Sequence, residues 1–259
     1  MLLLVDAGNT RLKWALADAR AGLGDWAGFG ALFHKELDGL ADAWRELRVE
    51  RALVSNVAGA APRERIARAL PPAPDGSPLP VEWFASSAER AGVRNAYRHP
   101  AQLGCDRFAS AIGAHALFPG RALVVATCGT ATTVDAVAPD GVFMGGMILP
   151  GLGLMATSLA RNTAQLPQVG DTIALPRIFA DNTDDAIISG CIAAQTGAIE
   201  RAVAALARER DGGSDSAVHC LLSGGAASMI GPHLSIAAET VDNLVLVGLH
   251  AVARSSSTC

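Results

Sequence analysis

The sequence has no paired cysteine spacing of the kind that holds a metal. Its five cysteines, Cys105, Cys128, Cys191, Cys220 and Cys259, include no CxxC, which leaves zinc sites and paired disulfides poorly supported and makes buried, reduced thiols the expectation. The six histidines are scattered without ligand spacing, so none is assigned to a metal or to catalysis. No run of basic residues occurs and the formal net charge is −4; both argue against a nucleic-acid binder, which normally shows a basic stripe. The apolar stretch from Ala122 to Val137 is broken by Gly129, several threonines and Asp135, so it reads as strands and not as a membrane span. Met1-Leu2-Leu3-Leu4-Val5 meets Asp6 too soon to be a signal peptide. The expectation is a soluble, cytoplasmic protein with no membrane partner. There is also no Gly-x-x-x-x-Gly-Lys-Ser/Thr and no complete dinucleotide fingerprint, which argues against the two commonest nucleotide folds.

What the chain does have is a pair of related turns. An apolar strand runs into Val5-Asp6-Ala7-Gly8-Asn9-Thr10, and the pattern returns at Gly129-Thr130-Ala131-Thr132-Thr133-Val134-Asp135. Each places glycine and small hydroxyl residues in a tight turn at the end of a buried strand, where backbone N–H groups can approach a phosphate unobstructed. Two such turns suggest two half-sites around a nucleotide's phosphate tail.

The chain has 259 residues, half of them hydrophobic, enough for one large core or two modest ones. Strands are expected at Leu2–Val5, Leu12–Ala17, Ala52–Val57 and Val81–Phe84. Helices are expected at Glu36–Leu47, with Leu37, Leu40, Trp44 and Leu47 on one side, at Pro62–Leu70, and at Pro100–Leu117. Leu70–Pro80 is a loop. After Pro119-Gly120 the pattern restarts with strands at Ala122–Ala126, Thr132–Ala138 and Val142–Ile148. Helices follow at Gly153–Arg161 and Thr183–Glu209, then a strand at Val218–Leu222 with a helix after it. A last helix spans Asn243–Ala253, and the Ser255-Ser256-Ser257 tail is expected to fray. The weak internal repeat implies an α/β protein of two similar lobes with mixed sheets around an interlobe cleft, residues 1–118 and 119–259.

Asp6 at a strand end could hold a Mg²⁺–nucleotide through water, with Asn9 and Thr10 donating to phosphate oxygens; an ordinary Asp-Gly-Asn hairpin carries the same residues. Lys13 is either a further positive charge at that site or a solvated lysine. Gly129, Thr130, Thr132 and Thr133 offer hydroxyls and unhindered amides where a plain strand would favour larger apolar side chains. In Gly104-Cys105-Asp106-Arg107, Arg107 is a planar fork suited to a carboxylate and Asp106 could take a hydroxyl proton; a surface Asp–Arg pair at a helix start is the alternative. Ser223-Gly224-Gly225 leaves room for adenine, although strand–Gly-Gly–helix turns are common.

These blocks, together with Gly145-Gly146-Met147-Ile148-Leu149-Pro150-Gly151, resemble the type III pantothenate kinases of the acetate and sugar kinase, Hsp70 and actin superfamily. The resemblance implies two ribonuclease H-like (actin-like ATPase) lobes. It also implies ATP-dependent phosphorylation of pantothenate to 4'-phosphopantothenate, the first step of coenzyme A biosynthesis. By the same resemblance Asp6, Ala7, Gly8, Asn9, Thr10, Arg11, Leu12 and Lys13 cradle the ATP phosphates, and Thr130 is a further ATP contact. Asp106 is the proposed base. Gly104, Cys105, Asp106 and Arg107 line the pantothenate site with Tyr97, and Thr183 reaches that pocket from a second subunit of a homodimer whose contact includes Gly145–Arg161. Family members often carry an aspartate two residues before the second-turn glycine, where it binds K⁺ or NH₄⁺. Here that residue is Thr127, a poorer ligand, which puts the monovalent-cation requirement in question. Two other functions fit the motifs: a nucleotide-dependent regulatory or scaffold protein, and a kinase of another small hydroxy acid.

Overall fold

The computed structural model describes residues 1–163, 166–167, 177–209 and 218–255. Cys259 and the serine tail beyond Ser255 lie outside the described residues. By contacts the chain forms two compact units, one of Met1–Pro119, Gly141–Phe143 and the chain from Asn243 onward, the other of Gly120–Asp140 and Met144–Asp242.

In the first unit, β1 (Leu2–Ala7) turns at Gly8-Asn9-Thr10 into antiparallel β2 (Arg11–Ala17), which pairs with β3 (Trp26–Phe33). A 3-10 segment at His34–Gly39 leads into α1 (Leu40–Trp44), replacing the single expected helix over 36–47. Leu37, Leu40 and Trp44 are nevertheless buried together, because the expected apolar face is supplied by two short turns that share it. β4 (Arg51–Asn56) lies parallel to β1, and β5 (Val81–Phe84) parallel to β4, with α2 (Ala60–Ala69) between them. The sheet order is β3-β2-β1-β4-β5. Leu3, Val5, Ala7, Leu12 and Val54 face a core completed by Trp44, Val49 and Ile66.

The short strands β6 (Glu89–Arg90) and β7 (Val93–Asn95) form a hairpin, and β7 pairs with Val142 and Phe143. The helix expected from Pro100 starts later. Pro100–Gln102 is a 3-10 turn, Leu103 and Gly104 are extended, and α3 runs Cys105–Leu117. The break puts Asp106 and Arg107 in the first turn of α3.

The second unit repeats the plan. β8 (Leu123–Cys128) is antiparallel to β9 (Ala131–Val137), whose other neighbour is β10 (Val142–Pro150). After α4 (Leu152–Asn162) and α5 (Thr183–Glu209), β11 (His219–Ser223) lies parallel to β8. A short α6 (Ala227–Ile230) precedes β12 (Ala238–Thr240), parallel to β11. Counted from β1 and from β8, five strands of each sheet are ordered 3-2-1-4-5 with the same strand directions around the first, and the seven-stranded sheet also carries β7 and β6. The repeat expected from two turns is therefore a repeat of five strands.

The final helix α7 (Leu244–Ser255) packs along α3. A side chain on Gly248 would run into the carbonyl of Ala109, and one on Gly113 into the backbone of Leu244 and Gly248. Backbone meets backbone there, so α3 is held over most of its length and its N-terminus has a fixed position.

Candidate active site

In the first unit the site begins with register. β1 and β4 are parallel, so Asp6 and Ser55 sit side by side at their C-terminal ends, and Lys13 stands opposite Asp6 on β2. Side chains alternate across a strand, which puts these three on the face opposite the core residues Val5 and Ala7. Asp6 Oδ1 is buried and has no hydrogen-bond partner among the described residues. Burial, and then the negative charge of Asp106, push the Asp6 carboxyl up to about 7, against a smaller lowering by Lys13. A buried acceptor with no donor calls for an explanation, a bound water or ion among them.

The first turn of α3 supplies the rest. Asp106 Oδ1 accepts the Arg107 backbone N–H at 2.8 Å. A side chain on Gly104 would stand 2.7 Å from that oxygen, so the glycine makes room for the carboxylate. Burial raises the Asp106 pKa above the ordinary carboxylate value, opposed by the Arg107 backbone bond and then by the guanidinium charge. Arg107 is itself buried, and its Nη1 donates to the Tyr97 hydroxyl at 2.9 Å. Its guanidinium carbon lies 5.8 Å from the ring centres of both Tyr97 and Phe143. Cys105 Sγ is 3.4 Å from Ser55 Oγ, and burial raises its pKa, so this thiol is an unreactive neighbour.

Tyr97 is presented by a pinned loop. The buried Asn95 accepts the Tyr97 N–H at 3.0 Å and donates to the carbonyls of Ser87 and Pro100 at 3.2 and 3.1 Å. Sequence reasoning missed Asn95, Phe143 and the site role of Ser55. Of the three, only Ser55 gave a signal, as a polar residue closing an apolar strand.

The residues expected on the first phosphate turn divide by burial. Gly8, Asn9 and Thr10 form the turn, with Asn9 and Thr10 exposed. The side chains of Ala7 and Leu12 point into the core, leaving only their backbone to face a ligand. Arg11 lies over the exposed Phe33 ring at 4.3 Å.

In the second unit, Gly129, Thr130, Gly151 and Gly224 converge. Gly151 N–H donates to the Thr130 carbonyl at 2.9 Å, and Ala226 N–H to the Cys128 carbonyl at 3.0 Å. A side chain on Gly151 would collide with the carbonyls of Gly129 and Thr130, and one on Gly224 with the backbone of Cys128. Gly224 also has φ +91, a conformation that favours glycine. Gly225 faces open space. Thr132 is buried on the same face as the core residue Cys128, so its hydroxyl lies on the core side. Thr127 is in register with Thr133 and Ser223, a row of hydroxyls that repeats the Asp6, Lys13 and Ser55 row of the first unit. Thr183 opens α5 beside Asn182, which caps the helix by accepting the Asp185 N–H at 3.0 Å. It borders an apolar groove of about 580 Å³ between α4 and α5, lined by Met155, Leu159, Ile187 and Cys191.

Two sheets that share a five-strand 3-2-1-4-5 order, with glycine turns after β1 and β8, define the actin-like ATPase and sugar kinase fold. A candidate 2-dehydro-3-deoxygalactonokinase from Sinorhizobium meliloti superposes with TM-score 0.58 at 18% identity, covering all of both chains. A candidate Baf-family transcriptional activator from Campylobacter jejuni superposes with TM-score 0.59 at 17% identity, covering 99% of this chain and 100% of its own. At those identities the likeness is one of fold. The family model for type III pantothenate kinase matches residues 2–205. A type III pantothenate kinase of Janthinobacterium sp. (strain Marseille) is 59% identical over the full length of both chains, and one from Cupriavidus taiwanensis is 44% identical over 98% of each. The chain belongs to the type III pantothenate kinase family.

Proposed function

We propose that the chain transfers the γ-phosphoryl group of ATP to the primary hydroxyl of pantothenate, the first step of coenzyme A biosynthesis. The observation that carries this reading is the first turn of α3, where a largely buried carboxylate, Asp106, stands beside a buried guanidinium, Arg107. Asp106 accepts the hydroxyl proton as the alcohol attacks. Its raised pKa brings the base nearer to neutral pH, where proton acceptance is most effective. Arg107, braced by Tyr97 and Phe143, holds the substrate carboxylate at the far end. Gly104 and Cys105 complete the wall of that pocket.

In the first unit the backbone amides at Gly8–Thr10 serve the phosphates, with Lys13 adding positive charge; in the second unit Gly129, Thr130, Gly224 and Gly225 are the nucleotide-binding residues. Phosphoryl transfer asks for alignment and charge neutralisation more than for covalent help from the protein. The partnerless Asp6 Oδ1 fits a Mg²⁺-bound water. When bound, Mg²⁺ would neutralise charge on the transferring phosphoryl group. At the position that the resemblance assigns to K⁺ or NH₄⁺, Thr127 offers a neutral hydroxyl.

The working form is a cytoplasmic homodimer. Met144, Met147, Ile148, Leu154 and Leu159 are exposed on β10 and α4, an apolar surface of the kind that a second copy covers. Thr183 of that copy then reaches the pantothenate pocket. No described helix is long and apolar enough to cross a membrane.

Replacing Asp106 with Asn tests the chemistry. Turnover should fall by on the order of 10²- to 10⁴-fold while ATP binding by calorimetry, measured well above pH 7 where Asp6 is ionised in both proteins, is unchanged. Turnover within a few-fold of the parent enzyme removes Asp106 from the role of base.

A further inference from the structure

We propose that His34 is a positioning residue for the first phosphate turn. Its Nε2–H donates to the Gly8 carbonyl at 2.7 Å, across 26 residues of sequence. The Gly8 carbonyl and the Asn9 N–H belong to one planar, trans peptide group, so they point in opposite directions. Holding the carbonyl on the His34 side aims the Asn9 N–H away from it. Glycine accepts either orientation of a flanking peptide almost equally well, so a Gly8-Asn9 peptide without such a bond is free to turn its amide away from a phosphate. The imidazole removes that freedom before a ligand arrives, and polarises the amide it fixes.

His34 is itself firmly held. It opens the 3-10 segment, whose start is capped by the Glu36 carboxylate accepting the Phe33 N–H at 3.0 Å. Arg65 Nη1 donates to the His34 carbonyl at 3.4 Å, and Leu37, one turn on, is buried in the core. The sequence shows a histidine with no motif around it. Only the fold brings it to Gly8.

This inference rests on the reading of Gly8–Thr10 as a phosphate turn. Two variants test it: His34→Phe keeps a ring without a donor, and His34→Gln keeps an N–H donor without the ring. The phenylalanine variant should raise the KM for ATP about tenfold, the scale of one lost hydrogen bond. The KM for pantothenate should stay within about twofold, and glutamine should recover at least half of the loss. An unchanged KM for ATP, an equal rise for both substrates, or glutamine no better than phenylalanine would overturn the proposal. Should the phenylalanine variant not fold, His34→Ala with added imidazole takes its place; recovery of ATP affinity supports the role and no recovery overturns it. Parent enzyme that fails to turn over pantothenate counts against the kinase reading alone. Calorimetric ATP binding to the same variants still decides the role of His34.

Discussion

Asp6 makes the apo protein less stable than it need be. The folded state holds this carboxyl near pH 7, against an ordinary value of 3.8, because burial and the Asp106 charge disfavour ionisation. The folded chain therefore binds the proton more tightly than the unfolded chain does. The contribution of Asp6 to stability is greatest below about pH 4, falls as pH rises toward about 7, and stays at its lower level above that. A gap of roughly three pH units, at about 1.4 kcal/mol each, sets the full penalty at about 4 kcal/mol. Asp6→Asn keeps the shape and removes the charge. In urea unfolding, the variant should gain on the parent with rising pH, by under about 1 kcal/mol at pH 4 and up to about 4 kcal/mol at pH 8. Because Asp106 is the second cause of the raised value, Asp106→Asn in the parent should lower the Asp6 pKa and shrink the gain. Mg²⁺–ATP should stabilise the parent and do little for Asp6→Asn. A difference independent of pH, or a variant less stable than the parent at pH 8, would refute the reasoning. The penalty sits in a group that a ligand would relieve, so stability is lost where binding needs it.

Other consequences follow from the same geometry. Arg107→Lys keeps the charge but loses the bond to Tyr97 and the planar fork, so the KM for pantothenate should rise at least tenfold, with the KM for ATP little changed in steady-state assays. Gly224→Ala combines φ +91 with a collision against Cys128; it should lower stability by about 1–3 kcal/mol and weaken ATP binding, both measurable on the purified variant. The acid limb of kcat/KM should lie above the ordinary aspartate range, because burial raises the pKa of both Asp106 and Asp6, and in Asp106→Asn only the Asp6 part of it should remain.

The sequence exposed the two hairpins because strand, turn and strand are neighbours in the chain. The full length of α5 was readable for the same kind of reason, being 27 residues of unbroken helical pattern. β3 was not legible. Its outward residues Ala27, Phe29, Ala31 and Phe33 are as apolar as its inward ones, so no polar–apolar alternation marks it. Gly30 is there because any side chain would strike the Trp14 indole, a constraint set by the neighbouring strand. β6, β7 and β12, each of two or three residues, are held by pairing and have no periodicity to read. α3 was assigned too early a start, since Pro100 opens a 3-10 turn that ends before Cys105. Within the site, Asp106, Arg107 and the glycine turns were visible as motifs. Ser55 beside Cys105, His34 on Gly8 and Phe143 against Arg107 were not, because strand register and long-range packing create those neighbours.

The most direct test of the kinase account is phosphorus NMR of the purified protein with ATP, Mg²⁺ and pantothenate. One new phosphomonoester per ADP, formed with pantothenate and not with other small hydroxy acids, is the expected result. ADP release that ignores pantothenate, or no phosphomonoester at all, would contradict it.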